Sequence, residues 1–280
     1  MSARAGRDLG AAIAVGLPLV ILIVLALVYW PPGLIVMLVL VTSLACIELH
    51  DALKRVGMTS AKTPLVVGNI AIIGGSYAAG YFQPYITVPW HVVLLGCLGV
   101  TVLLALIWRM FSGAEGYARD AAASLFTIAY IPLLASFIGL ILVMDGGELK
   151  LTTVFLAVVA SDTGGYALGA TIGKHQLAPN ISPKKTWEGL VGSIVTSIAT
   201  VLVMCFCFTH WPWWYGVIVA LVAVVAGTAG DLVESLIKRD VGIKDMSSIL
   251  PGHGGVMDRL DSVLFAAPAC WFLLNLPMPA

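Results

Sequence analysis

Between Lys238 and Ser262 the chain reads KRDVGIKDMSSILPGHGGVMDRLDS, with four cations, four carboxylates, a histidine and a glycine-rich kink in 25 residues. Just upstream, AGDLVESLIKRD sets Asp231, Glu234, Ser235 and Lys238 at i, i+3, i+4 and i+7, one stripe of a helix. Gly227 and Gly230 precede the stripe and would let another backbone or a ligand come close. Arg239 and Lys244 follow, then PGHGG, then Asp258, Arg259 and Asp261. Glycines at 252, 254 and 255 free backbone N–H groups to line a concavity, the physical basis of phosphate cradling. Asp231 and Asp258, from two helices, suit a hard cation such as Mg²⁺, which takes oxygen ligands and shares them with substrate phosphates. The cations need anions and the carboxylates need a cation; a metal-bound polyphosphate answers both. His253 is either a general base or a donor to phosphate. A phosphate nucleophile is already anionic near neutral pH and has little proton to lose, which favours the donor role. The competing structural account is internal pairing, Lys238 with Asp258 or Arg259 with Asp231, but ion pairs alone would not require a glycine-rich loop.

Two earlier segments carry related chemistry. ASDTGGYALGATIGK places Asp162 inside an apolar run, where a carboxylate is costly and marks a site by default. The alternative is a packing hydrogen bond to Thr or Tyr. Gly169, Gly173 and Lys174 end that run. ISPKKTWEGL then offers Ser182, Lys184, Lys185 and Thr186 at an expected helix start, with Pro183 bending the entry. Lysines at a helix N-terminus make a phosphate site, yet lysines flanking a membrane span are routine, and this segment alone does not decide between them.

Membrane helices must position these residues. The chain has 280 residues, 60% hydrophobic and 11% charged, with a mean hydropathy of +1.00. A soluble domain carries roughly 25% charge, so the chain reads as an all-α integral membrane protein. Apolar runs of about 20 residues fall near 9–30, 33–49, 64–82, 90–110, 121–144, 151–170, 189–209, 213–238 and 260–278, giving about nine spans. With the N-terminus in the cytoplasm, Arg4, Arg7, Lys54, Arg55, Lys62, Arg109, Arg119, Lys174, Lys184, Lys185, Lys238, Arg239, Lys244 and Arg259 lie inside, and only Lys150 outside. That asymmetry favours nine spans with the C-terminus outside. Tyr29, Trp30, Tyr81, Tyr85, Trp90, Trp211, Trp213, Trp214 and Tyr215 supply an outer aromatic belt. The first run ends in VYWPPG without a small-x-small cleavage pattern, and reads as a retained helix. Cys46, Cys97, Cys205, Cys207 and Cys270 all fall in apolar runs and read as packing residues.

Residues 1–150 read as transmembrane scaffold and 151–280 as the catalytic region, with every motif on the inner side. In the scaffold, Gly74, Gly75, Gly80, Gly96 and Gly99 are expected to permit close helix packing. Glu48, His50 and Asp51 read as solvated polar residues at a helix end.

The segment SLIKRDVGIKDMSSILPGHGGVMDRLD, Ser235 to Asp261, resembles without a gap the signature of the phosphatidate cytidylyltransferases, or CDP-diacylglycerol synthases. SPKKTWEG (182–189) and SDTGGY (161–166) resemble two further family motifs in the expected order, with Gly165 where Ala is expected. The motifs cover about a hundred residues; the first 150 resemble the family only as apolar spans of about the right number. The resemblance implies that CTP and phosphatidic acid give CDP-diacylglycerol and pyrophosphate with Mg²⁺, and a monovalent cation such as K⁺ beside it. It implies a multi-pass homodimer in the plasma membrane with a cytoplasm-facing site, and no nucleic-acid partner. Carried over, Asp231 and Asp258 are the metal-binding aspartates, with Asp261 and Glu234 serving a second cation or supporting the first. Lys185, Lys238, Arg239, Lys244 and Arg259 are cations for the triphosphate or the lipid headgroup, with Lys238, Arg239 and Lys244 taken as catalytic. Lys174, Asp162, Ser182, Lys184, Thr186, Ser235, His253, Gly254 and Gly255 complete the expected substrate site. A CTP-dependent lipid kinase would need similar groups but transfer the γ-phosphoryl; the full signature disfavours it. An ion-coupled transporter would use Asp162 and Asp231 as intramembrane sites, yet no second copy of PGHGG or KKT marks an internal repeat. The D-G-x2-A-R pattern of CDP-alcohol phosphotransferases is absent.

Overall fold

The computed structural model describes residues 29–83, 85–247, 249 and 254–276, with 22, 23 and 25–27. The chain is mostly helical. Among the described residues, seven helices are long and apolar enough to cross a bilayer: α1 (Pro31–Arg55), α2 (Lys62–Tyr81), α3 (Trp90–Met110), α4 (Tyr117–Leu142), α5 (Gly147–Ile172), α6 (Trp187–Thr209) and α7 (Trp213–Asp240). An eighth, α8 (Met257–Leu274), opens with Asp258, Arg259 and Asp261 and coincides with the ninth apolar run. The run at 9–30 lies largely outside the described residues. Several helices outrun their apolar stretch: α1 continues through Lys54 and Arg55, and α7 through Lys238 and Arg239. Apolar composition marks the hydrocarbon core, whereas the backbone ladder persists into the polar interface.

Packing divides the chain into two compact units. The first comprises the described residues up to Leu133 with Val241–Arg259. Pro31 opens α1, where its missing N–H costs nothing. The Asn69 side-chain amide on α2 donates to Val39 O at 3.1 Å, Thr42 Oγ1 at 2.9 Å and Ser43 Oγ at 2.9 Å, fastening α2 to α1 inside the apolar layer. Arg109, at the end of α3, pairs with buried Asp120 of α4 at 2.8 Å. Asp120 Oδ1 also accepts Thr59 N at 2.8 Å, while the Arg109 guanidinium donates to Gly113 O and Glu115 O. One ion pair thus fixes two connections. Of the expected packing glycines, a Cβ at Gly75 would meet Val93 and Cys97 of α3 at ordinary contact and one at Gly74, Gly96 or Gly99 would meet nothing within 4 Å, whereas one at Gly68 would run into Thr101 of α3.

The second unit comprises Leu134–Asp240 and the rest of the described chain from Leu260. Its core is the contact of α5 with α6. A Cβ at Gly164 would lie 2.7 Å from Gly192 O and against Thr196, so only glycine lets these backbones meet. Ser193 and Thr196 of α6 donate to Ser161 O and Ala160 O of α5, each at 2.7 Å. The SDTGGY motif is therefore in part a packing seam. Between the two helices the chain is not all-helical: β1 (Gln176–Ala178) and β2 (Ser182–Thr186) form a two-stranded antiparallel ribbon, Gln176 opposite Thr186 and Ala178 opposite Ser182. The lysines expected at a helix start thus stand on a strand. Thr186 caps α6 by accepting Gly189 N at 3.1 Å.

Candidate active site

The stripe on α7 forms as its spacing requires. Ser235 Oγ donates to Asp231 Oδ1 at 3.4 Å, and Lys238 Nζ to Glu234 Oε2 at 2.6 Å, each one turn apart. Glu234 is fully buried, a position a carboxylate tolerates in an apolar helix only beside a cation. Lys185 reaches in from β2 and sets Nζ 2.6 Å from Asp231 Oδ2, so the KKT segment and the α7 stripe share one cluster. Asp261 of α8 lies within electrostatic reach of Asp231, Asp162 and Lys238. This approach depends on Gly230, where a Cβ would collide with Asp261 O; at Gly227 a Cβ would make only ordinary contact with Ser262. Gly230 admits a neighbouring helix.

This cluster holds four carboxylates, Asp162, Asp231, Glu234 and Asp261, against two ammonium groups, Lys185 and Lys238. The excess negative charge and the all-oxygen donor set fit a hard cation. Among the described residues no three His, Cys, Asp or Glu side chains stand together as a ready cage.

At the rim, Arg239 is exposed and donates to Ile181 O at 3.4 Å. Lys184 is exposed on β2 and Ser182 half-buried at its start. Lys174 is exposed, its N–H donating to Glu188 Oε2 at 3.1 Å. Glu188 also accepts His175 N and pairs with His175 Nδ1 at 2.6 Å, closing the connection from α5 to the ribbon. Sequence reasoning passed over this pair, although Glu188 lies inside SPKKTWEG and His175 follows Lys174.

The remaining expected residues belong to the first unit. Asp258 Oδ2 accepts Met246 N at 3.0 Å and Gly255 N at 2.8 Å. Gly254 has φ +83°, and a Cβ on Gly255 would stand 2.9 Å from both Asp258 Oδ2 and Glu48 Oε2, so both positions demand glycine. Lys244 and Arg259 are exposed. His253 and Gly252 lie outside the described residues. Glu48 corrects the sequence reading outright. It is 2% exposed, two turns inside α1, and accepts Val256 N at 2.9 Å, Met257 N at 2.8 Å and the Ser247 hydroxyl.

A family model described as "Cytidylyltransferase family" matches residues 11–276. The chain belongs to that family. Among cytidylyltransferases it is 40% identical over 291 residues to the phosphatidate cytidylyltransferase of Mycobacterium leprae (strain TN), covering 98% of this chain and 89% of the relative. It is 38% identical over 290 residues to that of Mycobacterium bovis (strain ATCC BAA-935 / AF2122/97), covering 98% and 91%. A likeness to the phosphatidate cytidylyltransferase of Staphylococcus saprophyticus is 42% over 156 residues, 55% of this chain and 59% of the relative.

Proposed function

We propose that this cytidylyltransferase converts CTP and phosphatidic acid to CDP-diacylglycerol and pyrophosphate, supplying the liponucleotide precursor of phospholipids. The observation that carries the reading is the Lys185–Asp231 pair, which joins two separate motif segments into one charged cluster at the end of membrane helices. A phosphatidate phosphate oxygen attacks the α-phosphorus of CTP; the new O–P bond forms as the bond from Pα to the β-bridging oxygen breaks, and pyrophosphate leaves with that electron pair. Lys185 and Lys238, with Arg239 and Lys184 at the rim, lower the repulsion between two anionic substrates and stabilise charge on the leaving group. Asp231 and Asp258 are the proposed Mg²⁺-binding aspartates, as their places in the signature imply, with Asp261 and Glu234 serving a second cation such as K⁺ or supporting the first. When bound, Mg²⁺ would polarise the transferring phosphate and neutralise the triphosphate.

About nine spans in the plasma membrane, N-terminus inside, C-terminus outside, a cytoplasm-facing site and a homodimer complete the proposal. The inside bias of Lys and Arg supports the orientation. It lets the lipid arrive laterally and CTP from the cytosol. A coupled pyrophosphate assay on detergent-purified protein tests the reaction: release should require CTP and phosphatidate together. Release from CTP alone would make the protein a nucleotide hydrolase and end this reading.

A further inference from the structure

Met246–Ser247 and Gly255–Met257 bracket the signature's glycine-rich stretch, and one buried carboxylate from α1 ties the two brackets together. Glu48 accepts the Ser247 hydroxyl and Val256 N on Oε1, and Met257 N on Oε2. The two amides are first-turn donors of α8, which the helix itself leaves unsatisfied and which a local Ser, Thr or Asp ordinarily caps. Here the preceding residues are Gly254, Gly255 and Val256, none with a capping side chain. The nearest local carboxylate is Asp258, and its Oδ2 is taken up by Met246 N and by Gly255 N three residues back. With Val256 N and Met257 N held by Glu48, the Asp258 Oδ2 stays on Met246 N and Gly255 N. Without Glu48, both amides lose their acceptor and the turn that carries Gly255 and Asp258 loses its tie to α1.

We propose that Glu48 is a positioning residue of the transfer reaction, fixing the aim of Asp258 and the backbone of Gly255 through the first turn of α8. The proposal deepens the cytidylyl-transfer reading and rests on it. It assigns a function to a helix that otherwise reads as scaffold.

The test compares Glu48→Gln, Glu48→Asp and Ser247→Ala with the unmodified protein in detergent. Hydrogen–deuterium exchange is followed at residues 255–258, and kcat and both KM values are measured with CTP and phosphatidate. In Glu48→Gln one acceptor oxygen becomes a donor facing an N–H. Exchange at Val256 and Met257 should quicken roughly tenfold or more, the scale of losing hydrogen bonds to a charged acceptor. The kcat should fall about 10- to 100-fold, as for residues that orient a metal ligand, while the KM for phosphatidate holds. Glu48→Asp, which keeps the charge, should recover part of kcat. A general structural defect would instead quicken exchange throughout the chain. Unchanged exchange at 256–257, or a kcat equal to the unmodified protein's, overturns the proposal. Should Glu48→Gln fail to fold, Ser247→Ala decides: a lowered kcat supports the proposal and an unchanged one overturns it. If the unmodified protein forms no nucleotide-linked lipid, the transfer reading falls, while the exchange data still show whether Glu48 holds α8.

Discussion

Asp231 and Lys185 are only part-buried, their side chains 31% and 24% exposed. A pair so open to solvent contributes at most about 1 kcal/mol to stability. Lys185→Met should therefore leave the melting temperature nearly unchanged while turnover falls on the order of 100-fold, because the ammonium acts on substrate phosphates. Equal losses of stability and activity would make Lys185 merely a partner for Asp231. Asp258→Asn keeps an oxygen for Met246 N or Gly255 N, so the protein should stay folded and monodisperse while turnover is abolished. Near-normal activity would remove Asp258 from the metal site. At this scale the sequence was legible where charge interrupts an apolar helix at regular spacing, as on α7. It was misleading at Glu48, because the apolar run stops at residue 49 while helix α1 runs on to Arg55. A residue that looks terminal by composition is two turns inside the helix, and its partners lie about 200 positions away.

At the level of elements, helix boundaries and the antiparallel ribbon decide how the motifs are presented. The lengths of the apolar runs located the long described helices, since a bilayer-spanning helix needs about 20 apolar residues. They could not reveal β2, a five-residue strand made of Ser, Pro, two Lys and Thr with no alternation to mark it. Glycine content was likewise ambiguous, because what a glycine faces is a tertiary property. Gly164→Ala should cost about 1–3 kcal/mol by forcing α5 from α6, lowering the melting temperature and, through the ribbon that joins them, activity. Gly99→Ala, with open space around it, should leave the melting temperature level or slightly higher. Thermal melts of the two variants in the same detergent check both. Arg109→Ala should cost about 1–3 kcal/mol, because buried Asp120 loses its 2.8 Å guanidinium and keeps only Arg119 at 3.6 Å and Thr59 N.

For the whole molecule, membrane topology sets which side each substrate comes from. Impermeant maleimide applied to intact cells should label Lys150→Cys, and should reach Asn180→Cys, on the exposed turn of the ribbon, only in inside-out vesicles. The opposite pattern would put the lysine-rich ribbon outside, away from CTP. Position-specific label follows the bond made to the α-phosphorus. Purified protein receives phosphatidic acid, Mg²⁺ and CTP carrying label at the α- or, separately, the γ-phosphate. Cytidylyl transfer puts α label in the lipid product and γ label in released pyrophosphate. Label from the γ position in the lipid would contradict it and make the protein a CTP-dependent kinase.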